Sequence, residues 1–566
     1  MTGRKSARQA AKAILAVVLA GTVPQTFAQQ PAAAPDSAKT GVEESIVLSE
    51  SEEPIDVANR LLQTVKEAKG RKISLSLRQC VTMAIENNYG IKIQQISPMQ
   101  AAEALIKQQA VFDPTVTSGD QDGNGGLLAV TTNRQASTTR GGNDTYTLGA
   151  TGGLGVNFPT YTGGVFRVGY DMGYNESSTL SNVTSYEPYY TAAAFMAITH
   201  PLLRGAGLDY NLAGIRIAKN NRDISDEQFR QQSIQSVFDT ESAYWNLVRA
   251  IEDLRVSVKS LQVSVDNRQS SYLQYKAGTQ PELEVTTADA GVAVRLSSVI
   301  SAESTVRDRE DQLKNIINLP DDWRLKDLHI VPLDQPVERI EDISPELDLS
   351  KALSIALKCR PELHQLDIER RSLEIAVRQR TNELMPTLNM TASLAYQGLD
   401  GGFTEAPSRI GINPRNSSTA GVTFSYPLGN RSAKAGVRSA ILDLRRSKLS
   451  REQTEQNIVV AVRSAIRRIR TDEQRVKATR KAQELQGKRL EAEQRKKEVG
   501  RSTSYMVLDV EKDVVAAQRD YVNALIDYHI SLANLEKELG TLLDVRGISI
   551  EPSSDRPASL TMSPSK

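Results

Sequence analysis

The spacing of apolar residues along this chain switches between two periods, and the switch happens twice. Beyond Pro114, Tyr146, Leu148, Ala150, Leu154, Val156 and Phe158 alternate with Thr147, Gly149, Thr151, Gly153, Gly155 and Asn157. After a turn at Thr160–Gly164, Phe166, Val168, Tyr170, Met172 and Tyr174 alternate with Arg167, Gly169, Asp171, Gly173 and Asn175. The same alternation returns in Leu388, Met390, Ala392, Leu394 and Tyr396, then in Val422, Phe424 and Tyr426. It predicts strands, about 114–200 in the first stretch and about 386–426 in the second, each with one apolar and one polar face. After Pro201 and Pro427 the spacing changes to threes and fours. Val237, Tyr244, Leu247, Ile251, Leu254, Val258, Leu261 and Val265 form one series; Val437, Ile441, Leu444, Ile458, Val462, Ile466 and Ile469 form the other. No proline interrupts Leu212 to Lys276 or Ala433 to Val499. Each stretch predicts a helix of about 65 residues, roughly 100 Å long. No globular core covers such a helix, so it belongs in a coiled coil or a tube of helices.

Each long helix is followed by a return helix, Glu282 to Ile317 and Ser504 to Leu542. The joints are Ala277-Gly278-Thr279-Gln280-Pro281 and Val499-Gly500-Arg501-Ser502. Glycine there accepts the left-handed backbone that stops a helix, and a following proline prevents continuation. Each half therefore reads short helix, strands, long helix, glycine turn, return helix. Matched landmarks make the halves a duplication. Ala84 and Ala356 lie 272 positions apart, as do Pro114 and Pro386. His200-Pro201-Leu202 matches Tyr426-Pro427-Leu428, and Leu313–Ile317 matches Leu535–Leu539. The predicted organisation is a repeat at 73–318, a connection at 319–347, a second repeat at 348–543 and a tail at 544–566. Before these come a basic and then apolar stretch ending at Ala28, which reads as an export signal (1–28), and a Pro/Ala/Ser/Glu-rich linker (29–72).

Composition narrows the function. The 566 residues are 39% hydrophobic and 24% charged, with a mean hydropathy of −0.37, which excludes a bundle of transmembrane helices. Basic and acidic residues number 69 and 68, so no global nucleic-acid footprint exists, and the Arg463, Arg467, Arg468, Arg470 run reads as a solvated face. His200, His329, His364 and His529 are dispersed and read as structural. No catalytic, cofactor or metal residues are assigned, and no phosphate-binding glycine loop is present. Cys80 and Cys359 could pair after export, but their separation in sequence favours two isolated buried thiols. The alternating strands fit either a half-exposed antiparallel sheet or a membrane barrel with lipid outside and water inside. The Gly/Asn/Ser/Thr-rich loops Asp120–Asp144, Glu176–Glu187 and Asp400–Ser418 suit the external rim of a barrel. The additional hairpin at about 145–175 could extend the barrel or fold as an external or luminal feature.

From Ser74 to Leu543 the chain resembles the TolC-type outer-membrane efflux protein family. The duplication, the Thr199-His-Pro-Leu-Leu-Arg-Gly205 entry to the first long helix, the glycine turns, and Val499-Gly500 followed by Val507-Leu508-Asp509 carry the resemblance. It implies a mainly α chain whose strand and long-helix repeats form a trimeric β-barrel plus an α-helical tunnel. Each chain would give four strands to a twelve-stranded barrel and four helix columns to the tunnel. The segments near Leu319–Ser350 and after Leu543 would form an equatorial belt. The resemblance also implies a homotrimer in the outer membrane, contacting its lipid and reaching into the periplasm. The turns at Gly278, Thr279, Gly500 and Arg501 would be the periplasmic tip, meeting an adaptor protein and an inner-membrane transporter. In the family's tip gate Asp509 matches one acidic position, Met506 replaces the other, and Glu284 stands at the bridging acid, with Glu282 nearby. A Glu284–Arg501 pair across the closed tip is one expectation; a solvated surface pair is the other.

The reading is a passive, non-enzymatic conduit for small-molecule efflux without cofactor. Two alternatives stay open: a protein-export conduit of a type I secretion system, and an exported coiled-coil structural protein.

Overall fold

The computed structural model describes residues 55–59, 71–118, 129–135, 145–179, 185–319, 328–336, 348–412, 416–499, 501–551 and 559–562. The export signal, Gly500, and most of the linker and of the connection lie outside the described residues.

Strand β1 (Arg71–Leu75) leads into helices α1 (Leu77–Asn87) and α2 (Tyr89–Gln109). Ser76 starts α1 with a capping box: its hydroxyl accepts from Gln79 N, while its own N–H donates to Gln79 Oε1 at 2.8 Å, satisfying donors that helix geometry leaves unpaired. Strands β2 (Thr115–Ser118), β3 (Ala129–Gln135), β4 (Thr145–Pro159), β5 (Val165–Thr179) and β6 (Ser185–Pro201) follow. The long helix α3 (Ala213–Lys276) and return helix α4 (Glu282–Ile317) complete the first half. After β7 (Leu328–Pro332) the second half repeats the order: α5 (Leu349–Cys359), α6 (Pro361–Asn382), β8 (Thr387–Asp400), β9 (Asn416–Ser425), α7 (Arg431–Glu498) and α8 (Ser504–Leu539). A short hairpin, β10 (Ile548–Glu551) with β11 (Ser559–Met562), ends the chain.

The helices stand as four columns. At the strand end the order of neighbours is α2, α3, α6, α7; at the other end it is α4, α3, α8, α7. The short helices therefore meet the return helices end to end beside the long ones. Asn88 Nδ2 at the head of α2 donates to Ile316 O at the end of α4 (2.8 Å). At the matching joint Arg360 bonds Glu538 (3.1 Å), and an added Cβ at Gly540 would come within 2.7 Å of Cys359 O. Much of the helical core is small and hydroxylated. Ser233, Thr240 and Ser257 of α3 are buried, each donating to the carbonyl four residues back. Such residues let helices approach closely while lowering the chain's hydropathy. Larger groups close the waist: Tyr244, Leu247, Leu313, Ile317 and Ile330 form one cluster, and Leu363, Val462, Ile469 and Tyr528 another. Each large apolar group buried there contributes about 1.5–3 kcal/mol. Among the described residues no helix is long and apolar enough to cross a membrane.

The sheet corrects the expected strand count. Its order is β2–β4–β5–β6–β8–β9, antiparallel throughout, with β3 pairing β4 further along the edge that β2 begins. The chain fills six positions across the sheet, not four. The additional hairpin is β4–β5, and it lies in the wall because both its edges are paired, β4 to β2 and β3, β5 to β6. Its turn is seated on the helices. Gly207 N donates to Thr162 O (3.1 Å), Tyr161 packs on Phe112 with ring centroids 4.7 Å apart, and Gly163 takes φ +98° within 2.6 Å of Gly205 O, counting from a built Cβ. Leu154, Val168, Tyr170, Met196, Ile198, Met390 and Tyr396 are exposed on one face. On the other, Phe195 lies across Gly169 with the Arg167 guanidinium 5.3 Å from its ring centre.

Further expectations need correcting. The linker is not featureless: residues 55–59 are helical, and Val57 and Ala58 are buried against Leu261, Val265, Val292, Leu296 and Val299 of α3 and α4. The C-terminal segment packs on the helices, where a belt was expected: Ile548 of β10 is buried with Val81, Ile234, Leu542 and Leu543. Helix α8 stops at Leu539, because Gly540 takes the left-handed conformation (φ +75°). The loop after β8 carries a helical turn at Glu405–Ser408. Both cysteines are free, as their separation in sequence favours, with Cys80 buried and Cys359 only half-buried.

Candidate functional site at the helical-hairpin tip

The two glycine joints lie at the end of the helices remote from the sheet. At the first, Gly278 has φ +74° and donates to Tyr275 O (2.8 Å), and Thr279 N and Oγ1 both bond Gln274 O (3.0 and 2.8 Å). These contacts satisfy the last carbonyls of α3. Glu282 and Glu284 occupy the first turn of α4, where carboxylates are favoured by the helix dipole. At the second joint Arg501 N donates to Lys496 O (2.8 Å), Ser502 Oγ donates to Glu493 (2.5 Å), and Thr503 caps α8 through Met506 N. The Ser502 hydrogen bond, helped by Lys496, holds the Glu493 carboxyl below its usual range.

The predicted site residues divide. Gly278, Thr279, Arg501, Met506 and Asp509 are exposed. Glu284 is half-buried, with Oε2 enclosed and lacking a hydrogen bond. Its expected partner Arg501 is not beside it; Lys497 of α7 is. The Lys497 ammonium bonds Asn267 Oδ1 of α3, and burial lowers its pKa while the Glu284 charge opposes that shift. The cation facing Glu284 thus lies four residues before the expected one, because helical phase turns Lys497, near the end of α7, inward and leaves Arg501 past the helix end in solvent.

Further links join the two hairpins. Ser260 of α3 bonds Glu511 of α8 (3.2 Å), Arg295 of α4 approaches Leu508 O (3.5 Å), and Arg519 of α8 bonds Ser257 (2.6 Å). Gly291 of α4 leaves room for Leu508, 3.4 Å from a built Cβ. Within the hairpins Arg268 pairs Asp289 (2.8 Å) and Arg489 pairs Asp513 (2.9 Å). Sequence reading missed Lys497, Asn267, Glu511 and Ser260. Glu511 carried a signal, since it sits on the same stripe as the buried Val507, Val510 and Val514.

Glu511 is 4% exposed, with one oxygen unpaired. Burial raises its pKa, against the opposing pulls of Arg295 and Ser260. The folded state therefore binds this proton more tightly than the unfolded chain, so its contribution is present below the ordinary carboxyl range and is lost as pH rises through the raised value. Glu511→Gln is expected to increase thermal stability at neutral pH and to flatten its acid-side pH dependence. A melting profile with the pH slope of the parent protein counts against this account.

An amphipathic antiparallel sheet continued by four columns of helix defines one sector of a membrane-anchored tube. Residues 352–541, nearly the whole of α5 to α8, match the family described as Outer membrane efflux protein. The chain is 22% identical over 398 residues to Outer membrane protein TolC of Escherichia coli (strain K12), covering 69% of this chain and 76% of the relative. The outer membrane channel CmeC of Campylobacter jejuni shares its fold, with a TM-score of 0.61 at 14% identity over 92% of this chain and 94% of that one. So does the outer membrane protein VceC of Vibrio cholerae, with a TM-score of 0.57 at 14% identity over 82% and 96%. Over residues 352–541 the chain matches the outer membrane efflux family, and along most of its length it is similar to outer-membrane channels of the TolC type, a likeness that supports an outer-membrane location with the helices in the periplasm.

Proposed function

We propose that this chain is one third of a passive homotrimeric conduit carrying small molecules across the periplasm and outer membrane. The carrying observation is the continuity of the wall. A sheet with an exposed apolar face and a polar opposite face runs directly into helices α3 and α7, 64 and 68 residues long, a reach of roughly 100 Å. Lipid covers the apolar face and water fills the other side. Nothing in such a wall couples to an energy source, so an inner-membrane transporter drives the flux through a periplasmic adaptor that meets the tip turns at Gly278 and Thr279 and at Gly500 and Arg501.

In this reading the tip is closed by links between hairpins. Lys497, bound to Asn267 and facing Glu284, holds α7 against α3 and α4. Asp509 and Met506 project into the aperture, where a lone ring of carboxylates gives weaker cation preference than two rings would. Purified protein in planar bilayers tests both points. The expected result is a discrete conductance, rising several-fold on Lys497→Met and unchanged on Arg501→Ala. Absence of any conductance from correctly folded protein defeats the conduit, and a rise confined to Arg501→Ala defeats this gate.

A further inference from the structure

Among the described residues the sheet has two unpaired edges: β9, exposed along its length, and the β2/β3 side of β4. A bilayer does not tolerate open strand edges, because their N–H and C=O groups find no partner in hydrocarbon. Six strands cannot close alone, since the smallest membrane barrels have eight. Each β9 must therefore pair with the β2/β3 edge of a second copy of this chain. Resting on the trimeric reading above, we propose that three copies close an eighteen-stranded barrel, half again the twelve strands implied by family resemblance. The hairpin β4–β5 is the added pair in each copy, and its consequence is an outer-membrane mouth as wide as the tunnel below it.

Circumference supports this count. Twelve helix columns spaced about 8–10 Å apart make a ring of roughly 95–120 Å. Eighteen strands about 4.8 Å apart, tilted 35–45°, make a ring of roughly 105–120 Å. Twelve strands at the same tilt reach only roughly 70–80 Å, so they would need the wall to taper. At the inserted pair the β4–β5 turn is seated on the helix ends, between Phe112 just after α2 and Asn211 just before α3.

The composition of the inserted pair fits a widening role. Its polar face carries Gly149, Gly153, Gly155, Gly169 and Gly173, and neighbouring side chains lie flat in the space these leave. A built Cβ at Gly169 would meet the Phe195 ring at 2.6 Å, one at Gly173 would meet Thr191 Oγ1 at 2.5 Å, and one at Gly155 would meet Arg167 Nε at 3.1 Å. The hairpin adds wall length while projecting little into the lumen. Its other face supplies Leu154, Phe158, Phe166, Val168 and Tyr170, all exposed, as a lipid-facing strand pair requires.

Electron cryomicroscopy of the full-length protein in lipid nanodiscs tests the count directly. The expected result is a threefold assembly with eighteen strands in the wall, β4 and β5 among them. A threefold assembly with twelve wall strands, the hairpin folded out, overturns this inference and leaves the conduit reading intact. An assembly of two chains closing twelve strands, or one without a closed barrel, overturns the trimeric reading as well.

Discussion

Arg546→Ala is expected to destabilise the helical sector by about 3–5 kcal/mol, the cost of leaving a buried charge without its partner. Glu241 of α3 is 1% exposed, and Arg546 holds it with two bonds, Nε to Oε1 at 2.6 Å and Nη2 to Oε2 at 3.0 Å. The same guanidinium bonds Glu536 of α8 at 2.9 Å. One arginine just past the end of α8 thus clasps α3 and α8 at the waist, where the return helices meet the short ones. Removing it strands two carboxylates, one of them wholly desolvated. Replacing both Arg546 and Glu241 by Met is expected to recover much of the loss, because an apolar pair of similar volume has no charge to desolvate. Denaturant unfolding of the two variants decides the matter. A loss below about 1 kcal/mol for Arg546→Ala, in the range of an exposed pair, contradicts the clasp.

The two periods of the sequence led directly to the long helices, their glycine turns and the alternating strands, because each depends only on which residues share a face. What the pattern could not carry was the identity of neighbours. Alternation in β4 and β5 states that a strand has two faces and says nothing about which edges pair, so the hairpin's place in the wall emerged only from its register with β2, β3 and β6. Polarity concealed part of the core for a related reason. Ser233, Ser236, Ser260 and Ser264 look like surface positions, yet they are buried where small side chains let columns approach. The same holds for residues 55–59, whose Pro- and Ser-rich surroundings mask the two apolar residues that dock. At the tip, Arg495, Lys496 and Lys497 are chemically alike, and only helical phase turns the last inward to Asn267. The sequence pattern reached the glycine turns and the helix ends, but not the phase that makes Lys497 rather than Arg501 face Glu284.

The membrane face can be tested with two adjacent residues, since alternation sends neighbours to opposite sides of the wall. Leu394 lies in the row Val168–Met196–Leu394, and Ser393 in the row Arg167–Ala197–Ser393. Val168 and Met196 are exposed on the apolar face, while the second row already accommodates an arginine. Both residues sit near the middle of β8, which the proposed barrel puts near the bilayer midplane. Leu394→Arg is expected to cost about 2–4 kcal/mol per chain, the penalty for a cation facing lipid at that depth. In the proposed trimer the penalty is repeated three times, enough to deplete the assembled form from outer-membrane fractions. Ser393→Arg places the same charge in water beside the lumen and is expected to leave assembly unchanged while shifting ion selectivity toward anions. Heat-resistant oligomer in membrane fractions measures the first effect, and reversal potential in planar bilayers the second. Equal tolerance of the two arginines means that the apolar face does not meet lipid; equal loss means that both faces are packed against protein. Either outcome removes the barrel, and a water-filled conduit with it. A single step along one strand therefore separates a membrane channel from an exported helical fibre with a folded head.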